Sequence, residues 1–251
     1  MKIAVCLSGH YRTHDITFTN WCEKLYSKYD CDIFFHTWDV NGTRIGFQND
    51  EVAVEDLTPL EYTDDQLKEK FKFTDVIVEN YKDLHETFLH VSAVVRERRK
   101  HIPELENRRA VHLYSMWYKA LQCFELMENY ANQNNVKYDI VIKSRPDLIV
   151  FDPTIQTTYQ FEHLPPITLD ELELDKVTIP LFNKSDELHD YFAVGTVDLM
   201  RKYHQLYNHM SYLLDNISLA DFLNPHTLLY NYTELFDIPV KPVRNFITIQ
   251  R

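Results

Sequence analysis

The sequence predicts one α/β domain of 251 residues with a mostly parallel central sheet flanked by helices. Two apolar runs, residues 2–8 and 31–39, are separated by a helical pattern, and this spacing is typical of neighbouring parallel strands. A third apolar run lies within residues 138–152 and is rich in Ile and Val, as expected of a strand buried on both faces. No linker or internal repeat divides the chain, so we predict a single domain over 1–251.

The third run breaks at Arg145-Pro146-Asp147. Pro146 cannot donate a hydrogen bond to a neighbouring strand, so the chain must leave the sheet there. Arg145 and Asp147 are therefore expected at the carboxyl end of a central strand, where open α/β sheets bind ligands. Two interpretations stay open. The pair either closes the turn as a local ion pair, or serves a phosphate, with Arg145 binding the anion and Asp147 a divalent cation.

The composition of the chain restricts the ligands and partners that the protein is expected to bind. The formal net charge of −12 disfavours nucleic acid as a general ligand. The four glycines do not form a glycine-rich phosphate loop, and no apolar run is long enough for a membrane span. The four cysteines lack the spacing of a zinc site, and three of them lie on apolar runs as free thiols would, so we expect a reducing, cytoplasmic location.

The remaining pattern alternates helices and strands. The predicted helices cover residues 13–26, 64–71, 107–133, 196–214 and 226–237, and the further strands cover 74–80, 177–182, 191–195 and one or two short segments after 237. Asn224 and Pro225 stand where a helix cap and a first helical residue are favoured. Residues 40–63 and 153–175 are predicted loops.

Residues 86–109 hold the one basic cluster of an acidic chain: Arg96, Arg98, Arg99, Lys100, Arg108 and Arg109. They are consistent with a solvated helix face, and also with an arm that meets a phosphate or an anionic acceptor.

Three other segments place polar residues at strand ends. Ser8, Gly9 and Arg12 follow the first strand, where glycine permits close approach of a ligand, although a plain strand–helix turn explains them equally. Asp39 follows Trp38 and could bind a ring hydroxyl, unless Trp38 is simply a core residue. Asp190 precedes an apolar strand and could act as general base, or could cap or pair locally.

Taken together, these segments resemble nucleotide-sugar glycosyltransferases of the GT-A type, and a branch found in polysaccharide-synthesis clusters and large DNA viruses. The resemblance lies in IAVCLSGHYRT, FFHTWD, YDIVIKSRPDL, YFAVGTVDLM and PHTLLYNY, which follow the family's order. Residues 40–110 and 153–185 carry none of it. The resemblance implies transfer of a sugar from a nucleotide-diphosphate sugar to a hydroxyl of a glycan or glycoprotein. It also implies a nucleotide-sugar-binding half at 1–150 and an acceptor-binding half at 151–251.

The resemblance also implies residue roles. Ser8, Gly9, Arg12 and Asp39 would bind the donor, and Asp190 would be the base of an inverting enzyme. The family holds Mn²⁺ or Mg²⁺ with an Asp-x-Asp turn, but Arg145 stands where its first Asp would be. Asp147 would then be the one remaining metal ligand of the turn, with Arg145 replacing part of the cation's charge at the diphosphate.

Two other functions are carried as alternatives. One is a non-catalytic nucleotide- or sugar-binding module of the same fold. The other is a different Rossmann-like transferase, such as a methyltransferase, which the lack of a glycine-rich turn after the first strand disfavours.

Overall fold

A computed structural model describes residues 1–41, 58–100, 102, 110–150, 169–181, 187–243 and 247–249. The described strands are β1 (Lys2–Ser8), β2 (Asp30–Trp38), β3 (Asp75–Glu79), β4 (Ile140–Ser144), β5 (Leu148–Val150), β6 (Val177–Pro180), β7 (Phe192–Gly195), β8 (Val240–Val243) and β9 (Ile247–Ile249). The described helices are α1 (His14–Trp21), α2 (Asp64–Phe71), α3 (Tyr81–Arg99), α4 (Ala110–Asn134), α5 (Val197–His204), α6 (Leu206–Asn216), α7 (Leu219–Phe222) and α8 (Pro225–Leu235).

The main sheet has seven strands in the order β3-β2-β1-β4-β7-β6-β8. Strands β1 to β4 are parallel, β7 is antiparallel to both its neighbours, and β6 and β8 are parallel to each other. Strands β5 and β9 form a separate antiparallel pair. This confirms the predicted α/β class with a mostly parallel sheet, an arrangement consistent with a Rossmann-like fold.

Hydrophobic cores cover both faces of the sheet. Ala4 and Cys6 of β1 pack in one core with Trp117 of α4, and Val5 of β1 packs in the other with Trp21 of α1. Successive residues of the strand thus point to opposite faces of the sheet, and both faces are buried. The helical stripe predicted within 107–133 is confirmed as the face that α4 buries.

The predicted single helix over 196–214 is wrong in one respect, because it is two helices that meet at Gln205. His204, the last residue of α5, is fully buried and its ring stacks on Phe124 of α4. The change of direction lets both α5 and α6 pack against α4. The predicted cap of α8 is confirmed, since Asn224 accepts a hydrogen bond from the backbone N–H of His226.

The basic segment lies partly on α3. Arg98 donates to the backbone oxygen of Leu214 and to the carboxylate of Asp215, and Lys100 pairs with Glu97. For Arg98 and Lys100 this agrees with a solvated helix face rather than an anion-binding arm. Arg108 and Arg109 lie outside the described residues, as do residues 42–57 and 153–168 of the two predicted loops.

The helices that the structure describes include none that is both long and apolar enough to cross a bilayer.

Five histidines, three of them buried and two half-buried, make stability depend on pH. Burial lowers the pKa of His10, His189 and His204 to about 3 and that of His14 to about 4, and it also lowers the pKa of His36. Between pH 4 and 6.5 these rings bind protons when unfolded but not when folded.

Stability is therefore expected to fall as the pH is lowered from 6.5 to 4, by up to about 1.4 kcal/mol per pH unit for each fully neutral ring. Urea unfolding at half-unit pH intervals measures this. A free energy of unfolding that stays level over that range would contradict it.

Candidate functional site

The order of the main sheet reverses beside β1. The chain leaves β1 toward β2 and β3 on one side, and β4 lies on the other. Open α/β sheets bind ligands in the crevice that this reversal leaves at the carboxyl ends of the strands. Strand β7 is antiparallel, with Phe192 paired to Ser144, so residues 189–191 enter the sheet at that same edge.

At the reversal, the Arg145-Pro146-Asp147 turn forms a three-residue charge cluster with Arg12. The guanidinium of Arg145 binds both carboxylate oxygens of Asp147, with Nε 2.8 Å from Oδ1. Arg12, from the segment after β1, donates from Nη1 to Oδ2 of Asp147 at 3.0 Å. The local ion pair foreseen as one interpretation is present, and a second arginine joins it.

The cluster has a net charge of +1 at neutral pH, and its cations are more exposed than its anion. Side-chain exposure is 6% for Asp147, 17% for Arg145 and 31% for Arg12. Burial by itself would raise the pKa of Asp147, but the two guanidiniums outweigh burial and lower it. Asp147 therefore stays ionised and fixes two arginines at the mouth of the crevice.

One face of α1 positions this turn. Thr17 Oγ1 donates to the backbone oxygen of Pro146 at 2.6 Å, and His14 Nδ1 lies 3.2 Å from the same oxygen. Trp21 Nε1 donates to the backbone oxygen of Leu148 at 2.8 Å. The spacing of these three residues along α1 puts them on one face. The sequence predicted only a helix over this segment, and a helical pattern does not indicate which backbone oxygens its polar side chains will bind.

The segment after β1 leaves room beside its glycine. Gly9 has a positive φ of 114°, and a Cβ added to it would meet no described atom within 4 Å. Its N–H donates to the backbone oxygen of His36, which ties the segment to β2. Ser8 is buried as the last residue of β1. Gly9 and Arg12 thus lie at the carboxyl end of β1, whereas Ser8 offers little accessible surface. Donor binding by these three residues stays a prediction.

Asp39 has a structural role that the prediction did not include. Its Oδ1 accepts a hydrogen bond from the backbone N–H of Tyr81, the first residue of α3. Trp38 is 1% exposed, so its ring is a core residue, as the alternative interpretation held. A contact between Asp39 and a ribose stays a prediction.

A buried lysine lies behind this part of the edge. Lys119 of α4 is fully buried and donates to Glu79 at 2.6 Å and to the backbone oxygen of Thr37 at 2.8 Å. Its Nζ is 3.5 Å from the centre of the Trp38 ring. Burial lowers the pKa of Lys119 to about 7, and Glu79 opposes that shift. Nothing in the helical pattern distinguished Lys119 from an exposed lysine.

Asp190 occupies a different position from the one predicted for a base that faces the cleft. Its side chain is 1% exposed, so an acceptor hydroxyl has no access to it in this structure. Its backbone oxygen accepts a hydrogen bond from buried Lys143, and its Oδ1 lies 3.2 Å from Nδ1 of His226. Burial raises its pKa, against the opposing effect of His226, Lys143 and Arg145. Other segments of the protein bury Asp190, and the local sequence could not indicate that burial.

The residues of the turn do not fit a divalent cation. Both oxygens of Asp147 already accept hydrogen bonds from guanidiniums, which a metal ion would have to displace. Within the described ranges no three His, Cys, Asp or Glu side chains are grouped closely enough to bind a metal ion. Metal binding by Asp147 therefore has no support from the donor set.

Comparison with the models of known protein families and with curated protein sequences finds no match for this chain. Function is therefore inferred from the geometry above and from the motifs that resemble glycosyltransferases.

Thr17→Val tests the support of the turn. The isosteric change removes one donor from the Pro146 oxygen and should lower the free energy of unfolding by about 1–3 kcal/mol. Thr19→Val on the same helix is the matched control, because Thr19 is exposed, and it should change stability by less than about 0.5 kcal/mol. Urea unfolding measures both. Equal unfolding midpoints for the two variants would rule out the supporting role.

Proposed function

We propose that this protein is a glycosyltransferase that moves a sugar from a nucleotide-diphosphate sugar to a hydroxyl group of a glycan acceptor. The observation that carries the proposal is the pair of guanidiniums, Arg12 and Arg145, which Asp147 holds at the point where the sheet order reverses. Planar guanidiniums bind phosphate oxygens in a bidentate fashion, and they remain charged at any physiological pH.

The charges of the cluster suit a diphosphate leaving group. A guanidinium placed where negative charge develops stabilises the transition state, and here it would take the place of a metal ion. Arg145 is further held in place by Tyr191, whose ring centre lies 4.2 Å from its Cζ. The space beside Gly9 would let part of the donor approach the backbone of β1's carboxyl end.

In this proposal the acceptor oxygen attacks the anomeric carbon as the bond to the diphosphate breaks. Arg12 and Arg145 stabilise the charge that gathers on the diphosphate oxygens. The sequence motifs that resemble GT-A enzymes support the same reaction. Two of them, IAVCLSGHYRT and YDIVIKSRPDL, contain the paired strands β1 and β4, whose carboxyl ends lead to Arg12 and Arg145.

A second candidate function is a module that binds a nucleotide or a sugar without transferring it. The burial of Asp190 favours this candidate, because the carboxylate predicted as the base does not face the crevice. Binding without donor cleavage would distinguish the two.

Arg12→Gln removes one of the two cations while leaving the Arg145–Asp147 pair. The affinity for UDP or GDP is expected to fall at least about tenfold, the effect of losing one charge-assisted contact. Isothermal titration calorimetry measures the affinity, and in wild type EDTA should leave it unchanged because no metal takes part.

Arg201→Gln is the control for this experiment. Arg201 is an exposed arginine of α5 that pairs with Glu128 and Asp198, so its loss should leave nucleotide affinity unaltered. If wild type binds neither UDP nor GDP, the proposed function fails. If it binds them only with Mn²⁺ present, the role given to the arginines is wrong.

A further inference from the structure

The buried carboxylate of Asp190 lies directly behind a histidine. His226 is the second residue of α8, and its side chain is 10% exposed, against 1% for Asp190. None of the described residues donates a hydrogen bond to either carboxylate oxygen of Asp190. An ionised carboxylate without donors is costly to bury, so a neighbouring group that can become a cation has a direct effect on it.

The contacts of His226 determine which ring nitrogen carries the proton. Nδ1 lies 3.0 Å from the backbone oxygen of Leu188 and 3.2 Å from Oδ1 of Asp190. A carbonyl oxygen can only accept a hydrogen bond, so Nδ1 must be the donor. The neutral ring then has its lone pair on Nε2, the nitrogen on the opposite side of the ring from Asp190.

Aromatic contacts connect this pair to the arginine cluster. The ring of Tyr191 lies 6.2 Å from that of His226, centre to centre, and it also packs against the Arg145 guanidinium. His189 completes the group, with its ring centre 5.5 Å from that of His226. The ring of Tyr191 thus contacts both His226 and Arg145, the residue that we propose binds the diphosphate.

We propose that His226 is the general base of the transfer reaction, that the backbone oxygen of Leu188 orients its ring, and that Asp190 is a positioning residue whose carboxylate stabilises the charged form of the ring. The inference rests on the proposed function and deepens it. In this proposal the imidazole of His226, and not the carboxylate of Asp190 as predicted from the sequence, contacts the acceptor hydroxyl.

The step balances in atoms and charge. The acceptor oxygen forms a bond to the anomeric carbon, and its proton passes to Nε2 of His226. The bond from the anomeric carbon to the diphosphate oxygen breaks, and its electron pair stays on the diphosphate. The imidazolium that forms has the Asp190 carboxylate 3.2 Å from Nδ1, and it later returns the proton to water.

Several other groups affect the charge of this histidine. The titratable and charged residues around the pair are Glu187, His189 and Tyr191 before β7, Lys143 and Arg145 at the end of β4, and Tyr203 of α5. Lys143 and Arg145 are cations, so without Asp190 they would disfavour the imidazolium.

The experiment compares wild type with His226→Gln, Asp190→Asn and the control His90→Gln, which changes an exposed histidine of α3. Release of UDP or GDP from a panel of UDP- and GDP-sugars, with water or added glycans as acceptor, is followed from pH 5 to 9. His226→Gln should lower kcat about 100-fold while UDP or GDP affinity changes less than about twofold. Any decrease in kcat that wild type shows toward acid pH should be absent in this variant.

Asp190→Asn should lower kcat while UDP or GDP affinity changes less than about twofold, because the neutral amide no longer stabilises the imidazolium. Nitrogen-15 NMR of the histidine rings supplies a second readout: His226 should carry its proton on Nδ1 in wild type. This measurement does not depend on turnover, and thermal melting identifies any variant that has not folded.

The outcomes separate the two proposals. Normal nucleotide binding and donor cleavage with unchanged kcat in His226→Gln would overturn the dyad and leave the proposed function standing. An Nε2–H tautomer in wild type, or an unchanged kcat in Asp190→Asn, would also overturn the dyad. Failure of wild type to cleave any donor overturns the dyad together with the transfer reaction, and failure to bind any nucleotide refutes the whole proposed function.

Discussion

The backbone oxygens of Pro146 and Leu148 are the points on which the site depends. Donors on one face of α1 bind both of them, and this fixes the turn after β4 against the helix that follows β1. The same arrangement brings Arg12 within 3.0 Å of Asp147. Two segments separated by 127 to 135 residues in sequence thus form one hydrogen-bonded cluster. Without the support of α1 the arginines would have to be ordered by the ligand itself, at a cost in binding free energy.

The edge of the sheet concentrates buried charge, and each buried charge has an opposite partner. Lys119 of α4 pairs with Glu79 of β3, and Lys143 of β4 donates to the backbone oxygen of Asp190 and lies near its carboxylate. Burial lowers the pKa of Lys143 to about 8. Such pairs contribute little net stability, since desolvation offsets most of their attraction. Their effect is to keep charge in defined places below the crevice, where the low dielectric strengthens its influence on a ligand.

The antiparallel strand β7 joins the two halves of the site. A parallel strand in its place would begin at the opposite edge and take residues 189–191 away from Arg145. Because β7 runs against β4, Asp190 and Tyr191 arrive beside the turn, and α8 places His226 over them. The cluster of arginines and the pair of His226 and Asp190 therefore lie on either side of Tyr191. In the proposed reaction the leaving group and the acceptor proton would then have separate partners.

The sequence by itself determined most of the elements and their order, but it did not set the bounds of α3 or indicate α7 or the break between α5 and α6. Apolar runs bounded by polar residues predicted β1, β2 and β4, and helical periodicity predicted α4, because burial on both faces of a sheet leaves a strong local pattern. The Arg145-Pro146-Asp147 turn was also predictable, since proline must interrupt the strand. Charge alone suggested a phosphate ligand there, but not which groups would surround it.

Tertiary structure decided the rest, because it depends on contacts between distant segments. Packing determined that Arg12 reaches Asp147, that Asp39 caps α3 and that Lys119 is buried. It also buried Asp190 and put His226 in front of it, although PHTLLYNY was read only as a helix start. A residue's type limits the chemistry open to it, but its exposure and its partners follow from how the chain closes over it. No local pattern carries that information.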